Sequence, residues 1–398
     1  MTATEKRPVL IVGAGKIARG YVGHLVALAG HPITFVDVNE ALVRLINERG
    51  GYQVHILGSP EKSMRVKNIQ ALHTGDAGVA QAVAETGLVF VSVGGPNLPA
   101  VGAALAAGIS ARRRAGGRKL NIVCCENWRK PAEVLREALA AQLGDEDRAY
   151  LAERVGIAEA TVLRSSIEPT EAQRAADPLA VQAQDYWELQ IDAEALVEPL
   201  PEVMGLQPVE GFHAALERKL FTYNAGNAVI GYLGMRRGHQ FLHEAATDPL
   251  ILEAARGVYE ESGAAICAKH GYTREEQAAF AAQSLRKYQD PKIADPVERQ
   301  VRDPIRKLSR YDRLIGPASL ALEYGIRPWN LALAIAAALQ YDNPSDPAAV
   351  QLQRLIAERG LDAALREVCG IEPDGTLARL VKERWEDVKG FDRVAEAG

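Results

Sequence analysis

The sequence predicts an α/β fold in two parts, a parallel-sheet domain over residues 1–197 followed by a mostly α-helical domain over residues 198–398. Three observations predict it. A short apolar run, Val9 to Val12, passes at once into a glycine-rich turn. A second apolar run, Ile33 to Val36, ends in Asp37, about 20 residues beyond that turn. Strand-like runs then give way to long helical patterns after the proline-rich Val197-Glu198-Pro199-Leu200-Pro201. At 398 residues the chain also exceeds the roughly 100 to 200 residues of one ordinary domain.

The first turn reads Gly13-Ala14-Gly15-Lys16-Ile17-Ala18 and leads into a helical pattern of Tyr21, Leu25 and Leu28. This GxGxxA arrangement follows a strand and opens a helix, the context of a Rossmann-type dinucleotide site. The first glycine permits the tight turn, the second lets backbone approach a pyrophosphate, and a small third residue lets helix pack on strand. Diphosphate oxygens then meet the positive end of the helix. Gly13, Ala14, Gly15, Lys16 and Ile17 are therefore candidate cofactor contacts. Asp37 has the place of the acid that accepts hydrogen bonds from the adenosine ribose; it repels a 2′-phosphate and selects NAD over NADP. Asn39, two residues on, joins the cofactor set. Further strands are expected at Leu88 to Val93 and Asn121 to Cys125, with Gly94 and Asn127 at the carboxyl edge, where open sheets bind ligands.

In the second domain the informative stretch is Glu217 to Asn227, read as α-helix. On a 3.6-residue repeat Lys219, Asn227 and Asn224 fall at about 0°, 80° and 140°, within one arc. Oxidation of a secondary alcohol needs a base, donors for the developing alkoxide, and the carbinol carbon held against a hydride acceptor. Lysine serves as that base only where burial or a nearby cation lowers its pKa by roughly 3 units. Asparagine amides donate without adding charge.

Hydrophobic residues make up 47% of the chain and charged residues 24%, so most of it can fold into packed cores. The 46 basic and 51 acidic residues leave a net charge of −5, with no footprint for nucleic acid or an anionic membrane. Arg112, Arg113 and Arg114 read as a solvated loop. Cys124, Cys125, Cys267 and Cys369 lack CxxC spacing and read as buried thiols of a reducing compartment. The N-terminal apolar run is too brief for a signal peptide, and Leu331 to Leu339 falls short of the ~20 residues of a membrane helix. A cytoplasmic location is expected. His239 and His243 stand at i, i+4, but no HExxH glutamate lies between them and no third ligand is evident, so no metal is expected.

Several segments in order carry a resemblance over nearly the whole chain: GAGKIARG (Gly13 to Gly20), FVDVN (Phe35 to Asn39), YQVHILG (Tyr52 to Gly58), CEN (Cys125 to Asn127), ERKLFTYNAGNA (Glu217 to Ala228), RKLSRYDRLIGP (Arg306 to Pro317) and LEYG (Leu322 to Gly325). The sequence resembles the polyol-specific long-chain dehydrogenases. That resemblance implies a Rossmann domain, a helical C-terminal domain, a cleft between them, NAD as cofactor and no metal. The family motif KxxxxNxxH puts the catalytic base on Lys219 and one alkoxide-binding amide on Asn224, with Asn127 as its partner. It implies a small-molecule polyol or sugar phosphate as substrate, D-mannitol 1-phosphate paired with D-fructose 6-phosphate, and a monomer or small homo-oligomer.

The chain departs from the pattern in three places. The family histidine is Asn227, which can donate to a substrate oxygen but cannot titrate. Gly316 stands where members acting on hexitol phosphates have the lysine of LIKP, and Arg327-Pro328-Trp329-Asn330 replaces a PHKN-like sequence. Arg19, Arg306, Arg313 and Arg327 are the candidate substrate-binding cations, Arg327 as a replacement for a missing one. The departures leave open another polyol, an aldonate or a sugar acid, or an isomerase that uses bound NAD transiently.

Overall fold

The computed structural model describes residues 6–392. The chain divides into two compact units, Met1–His213 and Ala214–Gly398. The proline-rich segment at which the sequence analysis places the boundary lies inside the first unit, because a strand after it still joins the first unit's sheet.

Unit 1 is built on twelve strands: β1 Val9–Val12, β2 Ile33–Asp37, β3 Gly51–Ile56, β4 Met64–Lys67, β5 Ile69–His73, β6 Leu88–Val91, β7 Leu120–Cys124, β8 Val155–Thr161, β9 Ser166–Ile167, β10 Val181–Ala183, β11 Leu189–Asp192 and β12 Leu206–Val209. Eight form one sheet in the order β12-β11-β8-β7-β6-β1-β2-β5. The run from β5 to β8 is parallel throughout and follows the 3-2-1-4-5-6 order of the dinucleotide-binding fold. β1 reads as an unbroken apolar run because it is covered on both faces. Its alternate residues divide between two cores: Val9 and Ile11 pack with Phe35 and Phe90 on one side, Leu10 and Val12 with Val89 and Val91 on the other.

Two features of unit 1 differ from the expectation. A second sheet, β4-β3-β10-β9, was not anticipated; the family segment Tyr52 to Gly58 supplies most of β3. The arginine triplet is not a solvated loop but the last turn of the helix Leu98–Arg114. Arg112 is 2% exposed and donates to the carbonyls of Arg118, Val83, Ala84, Thr86 and Lys119, so it ties three segments together. Arg113 pairs with Glu146 and Asp147.

Unit 2 is helical among its described residues. Its centre is the helix Trp329–Leu339, whose residues Leu331 to Leu339 are all buried. The longest apolar run of the chain is thus the hub of a packed core that includes Val229, Leu233, Val258 and Val301. No helix among the described residues is long and apolar enough to cross a membrane. Cys124, Cys125 and Cys369 are buried as expected, whereas Cys267 is only half-buried, its thiol 3.5 Å from the Thr273 carbonyl.

Candidate active site

The glycine turn of unit 1 is shaped by close approaches that only glycine allows. Gly13 has φ +92°, and a Cβ there would lie 2.1 Å from the Ser92 carbonyl oxygen. At Gly15 nothing lies within 4 Å of where a Cβ would stand, which leaves backbone open to a pyrophosphate. The Asp37 carboxylate accepts from the Ala14 N–H at 2.7 Å and from the Asn39 N–H at 2.9 Å, so the acid and the glycine turn are one hydrogen-bonded unit. Each carboxylate oxygen keeps a further lone pair for a ribose hydroxyl. The residues present therefore fit a dinucleotide.

Asn39 caps the helix Glu40–Arg49 by accepting from the Leu42 N–H, Lys16 is paired with Glu168 at 2.6 Å, and Ile17 packs against the core. The segment after the turn, Ala18–Gly23, is π-helix before it becomes α-helix at His24–Leu28. The side chain of Arg19 is engaged there, donating to the carbonyls of Ala14 and Leu179. Gly94 has φ +85°, but its N–H is committed to Glu126, which accepts it at 3.0 Å and also takes the Val93 N–H at 2.6 Å. Glu126 was not singled out from the sequence, and burial raises its carboxyl above the usual range. Asn127 follows β7 and is exposed.

In unit 2 the Lys219 helix is not the uniform α-helix that the sequence analysis assumes. The helix Phe212–Lys219 passes into a π-helical turn, Leu220–Asn224, and resumes as α-helix Ala225–Arg237. The Ala225 N–H reaches the Leu220 carbonyl, the i to i+5 bond of a π turn. The arc computed on a 3.6-residue repeat is thereby corrected. In an α-helix residues five apart are turned away by about 140°. A turn widened by about one residue brings position i+5 back towards the face of position i. Lys219 and Asn224 are such a pair. Lys219 and Asn227 are buried, Asn224 is half-buried, and no hydrogen bond ties either carboxamide to another described residue. Gly226 between them is required, since a Cβ there would lie 2.1 Å from the Tyr259 hydroxyl.

The electrostatics favour a neutral amine at Lys219. Burial, the Arg313 guanidinium and the Lys287 ammonium together lower its pKa to about 7, against the opposing carboxylate of Asp312. Two other lysines are depressed for related reasons, the half-buried Lys287 to about 8 and the buried Lys307 to about 7. The Lys307 ammonium is spent on the carbonyls of Gln300 and Arg302. Arg313 lies 2.7 Å from Asp312, and Arg306 pairs with Asp303 at 2.8 Å.

The remaining departures acquire physical reasons. A Cβ at Gly316 would lie 2.7 Å from the ring of Phe221, so a side chain of the π turn fills the volume that the family lysine's stem would need. Trp329 is packed by two guanidinium groups, Arg327 at 4.2 Å and Arg384 at 4.6 Å from its ring centroid. Arg327 is well exposed and pairs with Glu383. Asn330 is fixed by the buried carboxylate of Glu261, which accepts from its side chain at 2.8 Å. His239 is bound to Asp248 at 3.1 Å, His243 stacks on Phe241, and no group of three or more possible metal ligands occurs among the described residues.

A dinucleotide-type sheet in one unit and, in the other, a buried lysine with its pKa lowered to about 7 are features of a dehydrogenase. The chain belongs to the mannitol dehydrogenase family: the family's Rossmann domain matches residues 7–205 and its C-terminal domain residues 212–389. It is 38% identical over 378 residues to a mannitol-1-phosphate 5-dehydrogenase of Brevibacillus brevis, covering 95% of this chain and 97% of that one. Among solved structures it is similar to Pseudomonas fluorescens mannitol 2-dehydrogenase in complex with NAD and D-mannitol, at a TM-score of 0.76 and 18% identity, covering 97% of this chain and 91% of the other. It is also similar to a D-sorbitol dehydrogenase, at a TM-score of 0.77 and 15% identity, covering 96% and 93%. At those identities the structural likeness concerns the fold.

Proposed function

We propose that the protein interconverts D-mannitol 1-phosphate and D-fructose 6-phosphate with NAD, using Lys219 as general base. The observation that carries the reading is the Lys219 amine, buried at the start of the π turn that ends in Asn224 and held at about 7. The extensive similarity to the Brevibacillus brevis enzyme supports the substrate pair. When bound, NAD supplies the hydride acceptor. Gly13, Ala14, Gly15 and Asp37 would hold it, the glycines by backbone approach and the acid at the ribose. Lys16, Ile17, Asn39 and Gly94 complete that candidate set.

The neutral amine of Lys219 accepts the proton of the alcohol as its hydroxyl oxygen gains negative charge. The Asn224 carboxamide donates to that oxygen, and Asn127 is the second amide assigned to it. Once protonated, Lys219 faces the positive charges of Arg313 and Lys287, which favour release of the proton. Asn227 orients a substrate oxygen without titrating, so no histidine limb is expected in the pH profile. Arg313 and Arg306 are the cations assigned to an anionic substrate end, each already balanced in part by a carboxylate.

A second reading, an altered substrate on the same scaffold, is favoured by Phe221 filling the volume beside Gly316 and by Arg327 pairing with Glu383. The test is NADH consumption with D-fructose 6-phosphate against D-fructose and a panel of ketoses and keto-acids. Selective turnover of the phosphate is expected. Turnover confined to another ketose or keto-acid would replace the first reading by the second.

A further inference from the structure

The helix Arg274–Gln289 lies against the π turn and buries an unusual stripe: Gln277, Ala281, Ser284 and Tyr288. These positions follow the i, i+4, i+7, i+11 spacing of a core-facing helix, where apolar residues are the rule. Three of the four are polar, and each has a partner. Gln277 donates from its amide nitrogen to the Thr222 hydroxyl at 2.9 Å, and its carbonyl accepts from Arg218 at 2.8 Å. Tyr288 donates to the Tyr223 carbonyl at 2.7 Å. Ser284 is 3.0 Å from the Tyr259 hydroxyl, the group that excludes a side chain at Gly226.

Two of these bonds end within the five-residue turn that separates Lys219 from Ala225. A π turn is an uncommon conformation that survives where surroundings hold it. Thr222 is fully buried, and Tyr288 is 8% exposed, so neither bond competes with water. We propose that the helix Arg274–Gln289 is the positioning element of the catalytic lysine, with Gln277 and Tyr288 clamping the π turn and so fixing where Lys219 and Asn224 stand. The inference rests on Lys219 being the base. Polar atoms in the stripe serve geometry; an apolar stripe would bury the helix equally well but would leave the wide turn free to tighten into an α-helix, with Lys219 and Asn224 on diverging faces.

The charged groups around Lys219 are Lys287 of the same helix and Arg313 and Asp312 before the helix Ile315–Glu323. On its own element, Glu217 is bound to Lys269 and His270, and Arg218 lies between the rings of Tyr272 and Phe280. Tyr288→Phe and Thr222→Val leave these charges and their partners in place, whereas Gln277→Leu also removes the bond that Gln277 accepts from Arg218. A shift in the base's titration that appears in Tyr288→Phe and Thr222→Val therefore reports a displaced amine.

The experiment compares Tyr288→Phe, Gln277→Leu and the double variant with the full-length enzyme. It reads kcat, the Kd for NADH, the pH limb of kcat/KM for polyol oxidation, and Tm. The double variant is expected to lose about ten-fold or more in kcat with NADH affinity unchanged, the scale of a displaced catalytic group. Its limb should move to higher pH as Lys219 relaxes towards the ordinary lysine value. Thr222→Val removes the Gln277 bond from its other end and is read in the same way should Gln277→Leu fail to fold. Folded variants with wild-type kcat and limb, or a lowered Tm with an unmoved limb, overturn the positioning role. Lys219→Met separates the two claims: if it retains turnover the base assignment fails, whereas an inactive Lys219→Met beside wild-type-like clamp variants refutes the clamp alone.

Discussion

The lowered pKa of Lys219 has a kinetic consequence that depends on pH in a defined direction. Alcohol oxidation uses the neutral amine, so activity falls as protons are added. With Lys219 at about 7 the neutral fraction is about 10% at one unit below and about 90% at one unit above. Between pH 6 and pH 8 kcat/KM should therefore rise roughly ten-fold and then level off. A lysine at its ordinary value near 10.4 gives a rise of about a hundred-fold over the same interval and no plateau. After burial, the Arg313 guanidinium is the strongest charge lowering the pKa, and Arg313→Met should move the limb to higher pH. The assay is the initial rate of NADH formation from pH 5.5 to 9.5. Recording kcat beside kcat/KM separates the limb from ionisation of the substrate phosphate, near ~6. A log-linear rise through pH 9 in the wild type, or an unmoved limb in Arg313→Met, would refute the reasoning.

The same burial makes Lys219 a stability liability. Between about 7 and its unfolded value the unfolded state holds the proton and the folded state does not, so stability rises with pH across that window. Lys219→Met should raise the free energy of unfolding at pH 7, by an upper bound of several kcal/mol, with the gain shrinking towards about pH 10.5; a gain that grows with pH would contradict this. Gly316→Lys should cost about 1–3 kcal/mol in chemical denaturation, because the new side chain meets the Phe221 ring; undiminished stability would show that the ring yields freely. Asp37→Ser should narrow the preference for NADH over NADPH, and an unchanged ratio of kcat/KM values would remove Asp37 from the ribose site.

Much of unit 1 was legible because its signals are local. The turn at Gly13, the unbroken apolar run of β1 and the acid at Asp37 are all written within a few dozen residues. Arg112 was not, because three consecutive arginines look solvated and the carbonyls that surround one of them come from remote segments. The second sheet escaped for a similar reason: β3 pairs with β10, far along the chain. In unit 2 the residue types were readable but their phase was not. A 3.6-residue repeat cannot register a π turn, which depends on Gln277 and Tyr288 across the helix interface. One signal was present: the helix Arg274–Gln289 places glutamine, serine and tyrosine at the core-facing positions where leucine is usual. A lowered pKa at Lys219 was required by the base role, but the groups that lower it lay out of reach, since burial and the nearness of Arg313 and Lys287 arise only on folding.

The most direct test of the account is turnover by Lys219→Ala with D-mannitol 1-phosphate and NAD, measured beside NADH binding by fluorescence titration. A loss of about 10²–10⁴-fold in kcat with NADH affinity unchanged is the predicted result, as expected for removal of a general base. Turnover comparable to the wild type would contradict the claim that Lys219 takes the proton.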